Sequence, residues 1–253
     1  MRDDQTDILY GINPIIEALK ASKRKCFRIV IEGGKVNPHL KTLMILLRSK
    51  DISAKSIPKG EFKKQYHSYV HQGVVGYFSK KETIELHELV TNALEKSKEP
   101  ILVISDGIQD PHNLGAIIRS ATAMGVQGMI LPKHRGAPIN ATVAKCSSGA
   151  IEKMAISFVS NLSNAMGKLK EYGFWVVGID PEGPTSCYDF KFEMPVALLI
   201  GNEGKGIRPL LKKNCDFILS IPMATSMNSL NASAAGAVVF YEALRQKLKK
   251  KPG

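Results

Sequence analysis

The chain has 253 residues, of which 44% are hydrophobic and 23% charged. This is enough apolar sequence for one large domain or two smaller ones. The formal net charge is +12, from 35 Lys and Arg against 23 Asp and Glu. Such an excess favours an anionic partner, with nucleic acid as the first candidate. A basic surface that only serves solubility is the alternative.

The first residues are acidic and contain no apolar run, so the sequence predicts no signal peptide. No apolar stretch approaches the ~20 residues that a membrane-spanning helix requires. The four cysteines are far apart and match no metal-ligand spacing. We interpret them as reduced thiols, which predicts a cytoplasmic protein that holds no metal ion.

Charge divides the chain into three parts. Residues 1–81 contain 16 basic and 7 acidic side chains, residues 82–99 contain 2 and 5, and the remainder contains 17 and 11. This pattern predicts a small basic domain at 1–81, an acidic amphipathic linker at 82–99 and a larger domain at 100–253.

In the basic domain, helix and strand signals alternate. A helix is predicted from Asn13 to Ala21, a strand at 27–31, a helix at 38–48 and a closing strand at 74–78. These elements predict a compact α/β module.

In the larger domain, short Val/Ile/Leu runs alternate with helical patterns. Strands are predicted at 101–105, 128–131, 153–159, 174–179, 196–200 and 217–221, and helices near 114–124, 162–172, 207–214 and 230–248. The pattern indicates an α/β fold with a mostly parallel sheet covered on both faces. Ligands of such sheets bind outside the carboxyl ends of the strands.

The first unusual segment follows the strand at 101–105 and has the sequence DGIQDPHNLGAIIR (106–119). Asn113 stands where a helix N-cap is expected, and Gly115 permits close backbone approach. Arg119 interrupts an otherwise small or apolar helix. A simple cap for Asn113, and a salt bridge or an extended surface side chain for Arg119, are the alternatives.

Two further segments also follow predicted strands. In LIGNEGKGI (199–207), three glycines surround Glu203, and the spacing matches neither a dinucleotide fingerprint nor a P-loop. In IPMATSMNSLNASAAG (221–236), the strand ends at Pro222 and a helix of small residues follows a loop. A glycine turn and a tightly packed helix are the structural alternatives.

Together, N-x-G-x-x-x-R, GNEGKG and IPM…SLN-x-S resemble, in order, the three motifs of the SpoU (TrmH) class of SPOUT methyltransferases. The segment LYGINP (9–14) with EAL (17–19) is similar to the RNA-binding domain that these enzymes often have. The resemblance implies methyl transfer from S-adenosylmethionine to a ribose 2′-hydroxyl of RNA by a homodimer. It also implies a parallel sheet with a deep trefoil knot, which topology rules alone would not predict.

Within the class, the resemblance is nearest to bacterial enzymes that methylate a guanosine of 23S rRNA. A tRNA 2′-O-methyltransferase of the same class and a non-catalytic RNA-binding assembly factor remain alternatives.

The resemblance also assigns candidate site residues. The catalytic positions that it implies are Asn113, Arg119, Glu203, Ser229 and Asn231. The cofactor-binding positions are Gly201, Asn202, Ile221, Met223 and Leu230, in loops near 178–184, 199–204 and 221–231. We expect Arg119 to be essential. Whether it takes the proton stays open, because an arginine, which keeps its proton far above neutral pH, is a poor base. A role for His112 also stays open.

Overall fold

A computed structural model of the protein describes residues 6–34, 38–225 and 229–250. The chain forms two compact units. The small unit comprises Met1–Glu82 and Pro138–Lys153, and the large unit comprises Thr83–Ala137 and Met154–Gly253. The chain therefore passes between the units three times.

The described elements are, in chain order, β1 (Thr6–Tyr10), α1 (Ile12–Ala21), β2 (Cys26–Glu32), α2 (Pro38–Ser49), β3 (Ala54–Ile57), α3 (Lys59–Tyr66), β4 (Val74–Ser79), α4 (Leu86–Lys96), β5 (Ile101–Asp106), α5 (Pro111–Ala123), β6 (Gly128–Pro132), α6 (Ala141–Cys146), a 3₁₀ turn (Ala150–Glu152), β7 (Ala155–Val159), α7 (Leu162–Glu171), β8 (Trp175–Ile179), β9 (Thr185–Ser186), β10 (Val196–Gly201), α8 (Pro209–Lys213), β11 (Phe217–Ser220) and α9 (Ala232–Lys250).

The small unit has a mixed four-stranded sheet in the order β1-β4-β2-β3. Strand β4 pairs antiparallel with β1 and β2, and β3 pairs parallel with β2. Phe62 and Tyr66 of α3 pack with Val30 and Val75 of the sheet. Elements β1, β3 and α3 were not predicted. In α3, the only strong helical signal is this one pair of aromatic residues at i and i+4.

The small unit also contains residues 138–153, which had been expected in the larger domain. The ring of Tyr10 lies with its Oη 3.3 Å from Oγ1 of Thr142, and Nζ of Lys153 lies 2.6 Å from Oε2 of Glu17. Gly149 has φ +84°, and a Cβ there would come 2.7 Å from Cβ of Glu17. These contacts attach the segment to β1 and α1, so the compact units differ from a division at residue 100.

The segment at 82–99, expected as a linker, contains helix α4. Leu89, Val90 and Ala93 are buried in the core of the large unit, against Leu102 and Ile130 of its sheet. The amphipathic pattern recognised in the sequence therefore belongs to a packed helix of that unit.

The large unit has a seven-stranded sheet in the order β7-β6-β5-β10-β8-β11-β9. Every strand pair is parallel, which confirms the predicted parallel sheet. Helices α4, α7 and α8 share one core with it, while α5 packs on α9, which also contacts β10. This order brings the carboxyl ends of β5, β10, β8 and β11 to one edge. The knot stays a prediction.

None of the helices within the described ranges is long and apolar enough to cross a membrane.

Candidate active site at the carboxyl edge of the large sheet

Helix α5 begins earlier than the sequence predicted. Its N-cap is Asp110, whose side chain accepts a 2.9 Å hydrogen bond from the backbone N–H of His112, and Pro111 occupies the first helical position. The prediction that Asn113 is the N-cap is therefore wrong. Aspartate caps as well as asparagine, and a proline that follows the cap loses no hydrogen bond there. The Asn113 amide is left available for other contacts.

The Asn113 side chain connects the three motifs. Its Nδ2 donates to Oε1 of Glu203 over 2.6 Å, and its Oδ1 accepts from Nδ2 of Asn231 over 3.1 Å. Residues 90 and 118 positions away in the sequence thus meet at the first turn of α5. Three of the five predicted catalytic residues form one hydrogen-bonded cluster.

The cluster continues into α9. Oδ1 of Asn231 accepts from the backbone N–H of Ser233 over 2.9 Å and from its Oγ over 2.6 Å. Asn231 therefore caps α9 with its oxygen and holds Asn113 with its nitrogen. Among the described residues, no hydrogen bond reaches the second carboxylate oxygen of Glu203, a residue that is exposed.

The turn after β10 is held by Asn202. Its Nδ2 donates to the carbonyl of Gly107 over 2.8 Å, and its Oδ1 accepts from the backbone N–H of Gly204 over 2.9 Å. Its backbone exchanges two hydrogen bonds with Gly206. A Cβ on Gly201 would come 2.3 Å from the backbone carbon of Gly206, so only glycine fits there. Asn202 thus stabilises the turn and attaches it to the first motif.

Arg119 and Ser229 lie outside this cluster. Arg119 is exposed on α5, and its guanidinium makes no hydrogen bond or ion pair with another described residue. Six residues along a helix correspond to about 9 Å of rise and about 120° of rotation relative to Asn113. Ser229 is exposed in the loop before α9. Arg119 therefore lies on the surface of α5 and does not join the hydrogen-bonded cluster of Asn113, Glu203 and Asn231.

The predicted cofactor-binding residues follow neighbouring strands. Gly201 ends β10, while Ile221 and Met223 follow β11 and, like Leu230, are half-buried. Ser226–Asn228 of the third motif lie outside the described residues.

The loop after β8 lies against β11. The backbone N–H of Asp180 donates to the carbonyl of Leu219 over 2.9 Å, and a Cβ on Gly183 would come 2.6 Å from the backbone carbon of Leu219. Oγ of Ser186 is buried beside Ser220 with no partner in the described chain. Apolar side chains, close backbone and a buried hydroxyl fit the adenosine part of S-adenosylmethionine, which the resemblance implied.

An ion pair at the end of β5 was not predicted from the sequence. The buried Asp106 carboxylate accepts from Nε of Arg208 over 2.6 Å and from the backbone N–H of Arg208 over 2.9 Å. This contact fixes the start of α8 against the first motif. The available signal was an acidic residue that directly follows an apolar strand.

Comparison with known proteins agrees with this geometry. The SpoU rRNA Methylase family model matches residues 100–241, and the model for RNA 2′-O ribose methyltransferase substrate binding matches residues 8–84. The TrmH family protein YacO of Bacillus subtilis, named as a tRNA/rRNA methyltransferase, is 38% identical over 96% of this chain and 97% of its own.

The 23S rRNA (guanosine-2′-O-)-methyltransferase RlmB of Pectobacterium atrosepticum is 36% identical over 96% of this chain and 99% of its own. The crystal structure of the SpoU methyltransferase AviRb from Streptomyces viridochromogenes, in complex with AdoMet, has a TM-score of 0.80 and 25% identity. It covers 97% of this chain and 92% of its own. The chain belongs to the SpoU rRNA methylase family and is an RNA 2′-O-ribose methyltransferase.

Proposed function

We propose that this enzyme methylates the ribose 2′-hydroxyl of a guanosine in 23S rRNA. The observation that carries the proposal is the cluster of Asn113, Glu203 and Asn231, which assembles the three motifs at one strand edge. The RlmB proteins support a guanosine of 23S rRNA as the target, because they are named for that reaction and match this chain over nearly its full length. An enzyme that acts on rRNA would work in the cytoplasm, which is the location that we propose.

The methyl donor is S-adenosylmethionine, the ligand also named for the AviRb complex. It supplies a methyl group on a sulfonium, which is already a good leaving group. The protein therefore has to align the donor with the hydroxyl and make that hydroxyl more nucleophilic. Gly201 and Ile221 would hold the donor through their backbones, and Met223 and Leu230 through apolar contact. Because the Asn202 side chain already holds the turn, its part would be to shape that pocket.

Glu203 is suited to accept a hydrogen bond from the 2′-hydroxyl. Asn113 engages one carboxylate oxygen and so fixes the direction of the other. A carboxylate that accepts the hydroxyl proton, or polarises the O–H bond, increases the nucleophilicity of the oxygen. Asn113 and Asn231 act as positioning residues in this arrangement, and Ser229 contributes a hydroxyl from the loop before α9.

Arg119 is suited to bind a phosphate of the target nucleotide. Its guanidinium is exposed, and this planar group offers a forked set of N–H donors rather than a base. A cation near the ribose would also stabilise the developing alkoxide.

We further propose that the enzyme works as a homodimer. On α9, Ala234, Val238 and Tyr241 form an exposed stripe at i, i+4 and i+7, with Val238 41% and Tyr241 55% exposed. A partner subunit would cover this apolar stripe. An isologous pairing would also bring the exposed Arg119 of one subunit near the site of the other.

The test is methyl transfer from labelled S-adenosylmethionine to 23S rRNA transcribed in vitro, with mixed tRNA transcripts as the competing substrate. We expect one methylated guanosine ribose in 23S rRNA. Methylation of tRNA alone would support the alternative that the TrmH family names allow. A protein that binds RNA but transfers no methyl group would support an assembly factor.

A further inference from the structure

A concave region opens in the large unit, with a volume of about 700 Å³. It lies where β5, β6, β7 and β10 end, whereas the predicted cofactor loops follow β8, β10 and β11. We call this region the basic cleft. Of the ten site residues predicted from the sequence, only Asn202 lines it. The turn after β10, which holds Glu203, therefore lies between the basic cleft and the predicted cofactor loops at the same edge of the sheet.

The charge of the cleft is positive. Arg135, Lys205 and Arg208 line it, against the one carboxylate in its lining, that of Asp106. That carboxylate is buried, and its two oxygens already accept from Arg208. The Arg208 side chain is 52% exposed and lines the cleft, and its contact with the Asp106 side chain uses Nε, which leaves its terminal N–H groups available to a ligand. The cleft is therefore suited to an anion.

The lining of the cleft also includes apolar side chains. Leu210 lines it with 63% of its surface exposed, and Pro132 and Leu211 lie beside it. An exposed leucine can pack against a nucleotide base while the neighbouring cations bind its phosphate. A volume of this size exceeds what one nucleotide needs and falls within the range of small-ligand sites, about 300–1,000 Å³.

The loop that contains Arg135 is fixed at both ends. The backbone N–H of Lys133 donates to the carbonyl of Val159 over 2.9 Å, and that of Ala137 donates to the carbonyl of Ile108 over 2.7 Å. Between them, Arg135 adopts φ 63°, which is uncommon for a residue other than glycine. A preformed loop presents the guanidinium at lower entropic cost than a flexible one.

We propose that the basic cleft binds a nucleotide of the substrate RNA next to the one that is methylated. Arg135, Lys205 and Arg208 contact its phosphate, and the base packs on Leu210. Asn202 lines the cleft from the turn that carries Glu203, and its Nδ2 donates to the carbonyl of Gly107, which also lines the cleft. A nucleotide bound there would therefore lie beside the target nucleotide. This proposal rests on the proposed function and adds a specificity site to it.

The kinetic test uses the full chain and two variants of different kinds. Arg135→Glu reverses a charge of the cleft, and Ser160→Trp fills space in it without changing charge. We expect both to raise KM for 23S rRNA about tenfold, as the loss of roughly 1.4 kcal/mol of RNA binding would. KM for S-adenosylmethionine and kcat at saturating RNA should stay within about twofold.

Lys168→Glu is the matched control, since Lys168 is exposed on α7 and does not line the cleft. If Arg135→Glu and Ser160→Trp change KM for RNA no more than this control does, the basic cleft is not an RNA site. Failure of the wild-type enzyme to methylate 23S rRNA is a different result, and it would reject the proposed function itself.

A cross-linking test identifies the occupant. A photoreactive phenylalanine analogue in place of Leu210 should cross-link to 23S rRNA, and reverse transcription should stop beside the methylated guanosine. Cross-links scattered over the RNA would overturn the proposal. So would saturable binding of free nucleotide to the cleft that RNA does not displace, because the cleft would then serve a separate small molecule.

Discussion

Asn113 is the residue on which the geometry of the site depends most. One amide engages a carboxylate from the second motif and an amide from the third. The hydrogen bond to Glu203 is charge-assisted and therefore the stronger of the two. Removing it leaves Glu203 without a fixed direction.

We therefore expect Asn113→Ala to lower kcat about 100-fold, as for other losses of catalytic alignment. KM for S-adenosylmethionine should change little. Glu203→Gln should have a similar effect, and the double variant should be no worse than the poorer single variant, because the two residues act as a unit. A double-mutant cycle on kcat measures this. Independent, additive losses would show that Asn113 acts other than through Glu203.

Arg119 provides a different prediction at the same scale. Arg119→Ala and Arg119→Lys should each reduce kcat by about 100-fold or more, because an ammonium cannot reproduce the forked donor geometry. Affinity for S-adenosylmethionine, measured by calorimetry, should stay within a few-fold. Lys191→Ala removes another exposed cation of the large unit and is the control. Near-normal turnover of Arg119→Lys would exclude a role that depends on the fork.

The individual residues also show which features of the site could be predicted from the sequence. The resemblance implied that Asn113, Glu203 and Asn231 are site residues, and the structure brings these three together. The N-cap could not be chosen from the sequence, since Asp110 and Asn113 are both good caps. Asp106 and Arg208 pair across 102 positions, and no local pattern reports a contact of that kind.

Among the elements, the segment 138–153 departs most from expectation, because it belongs to the small unit and not to the larger domain. Its Glu152 forms an ion pair within the small unit. Arg24 of the small unit places Nε 3.0 Å from Oε2 of Glu152, an ion pair without hydrogen-bond alignment, and NH1 2.9 Å from Asp7. Burial raises the pKa of Glu152, against the opposing effects of Arg24 and Lys81. The folded state thus holds a proton on Glu152 more readily than the unfolded state. The stability linked to this carboxyl is full below its unfolded pKa of about 4.5 and is lost as pH rises through the raised folded pKa.

We predict that Arg24→Met destabilises the small unit by about 3 kcal/mol at pH 7, because it leaves a buried carboxylate without its main cation. The loss should shrink toward pH 5 as Glu152 takes up a proton. Hydrogen exchange of amides in β2 and β4 measures this unit separately. Lys20→Met is the control, since Lys20 is 57% exposed and 3.4 Å from Glu17, a pair worth less than about 1 kcal/mol. An equal loss at both pH values would contradict the assignment to Glu152.

Element prediction succeeded where apolar runs were long and failed where they were short. The predicted strands at 101–105 and 196–200 agree with β5 and β10 to within one residue. Strand β3 has the sequence AKSI, in which only Ile57 is buried, so it lacks the alternation that identifies a half-buried strand. The assignment of 138–153 to the small unit depends on tertiary contacts that no periodicity encodes.

At the scale of the whole molecule, the chain crosses between the two units three times, so cutting it at a single position cannot separate one complete unit from the other. A fragment of residues 83–253 would expose Val143, Ala144 and Ile151, which are buried in the intact chain. We expect this fragment to be cut by protease within 138–153 while still binding S-adenosylmethionine, since the predicted cofactor residues all lie in the large unit. Limited proteolysis and calorimetry measure the two properties. Replacing 138–153 with a Gly-Ser loop should remove the cleavage site, and loss of cofactor binding in that variant would show that the units depend on each other.

The exposed apolar stripe on α9 of the large unit predicts that the protein is a dimer. Val238 and Tyr241 are exposed on a helix whose opposite face is buried through Val239 and Phe240. Covering such a stripe with its symmetry mate buries apolar area on both subunits, at roughly 25 cal/mol per Å². Sedimentation velocity at micromolar concentration should therefore give twice the 27.7 kDa chain mass. Val238→Arg should give monomer and lose methyl transfer if Arg119 acts across the interface, whereas Lys249→Glu, an exposed change near the end of α9, should keep the dimer. A wild-type monomer that still methylates RNA would rule out both the dimer and any contribution of Arg119 from a second subunit.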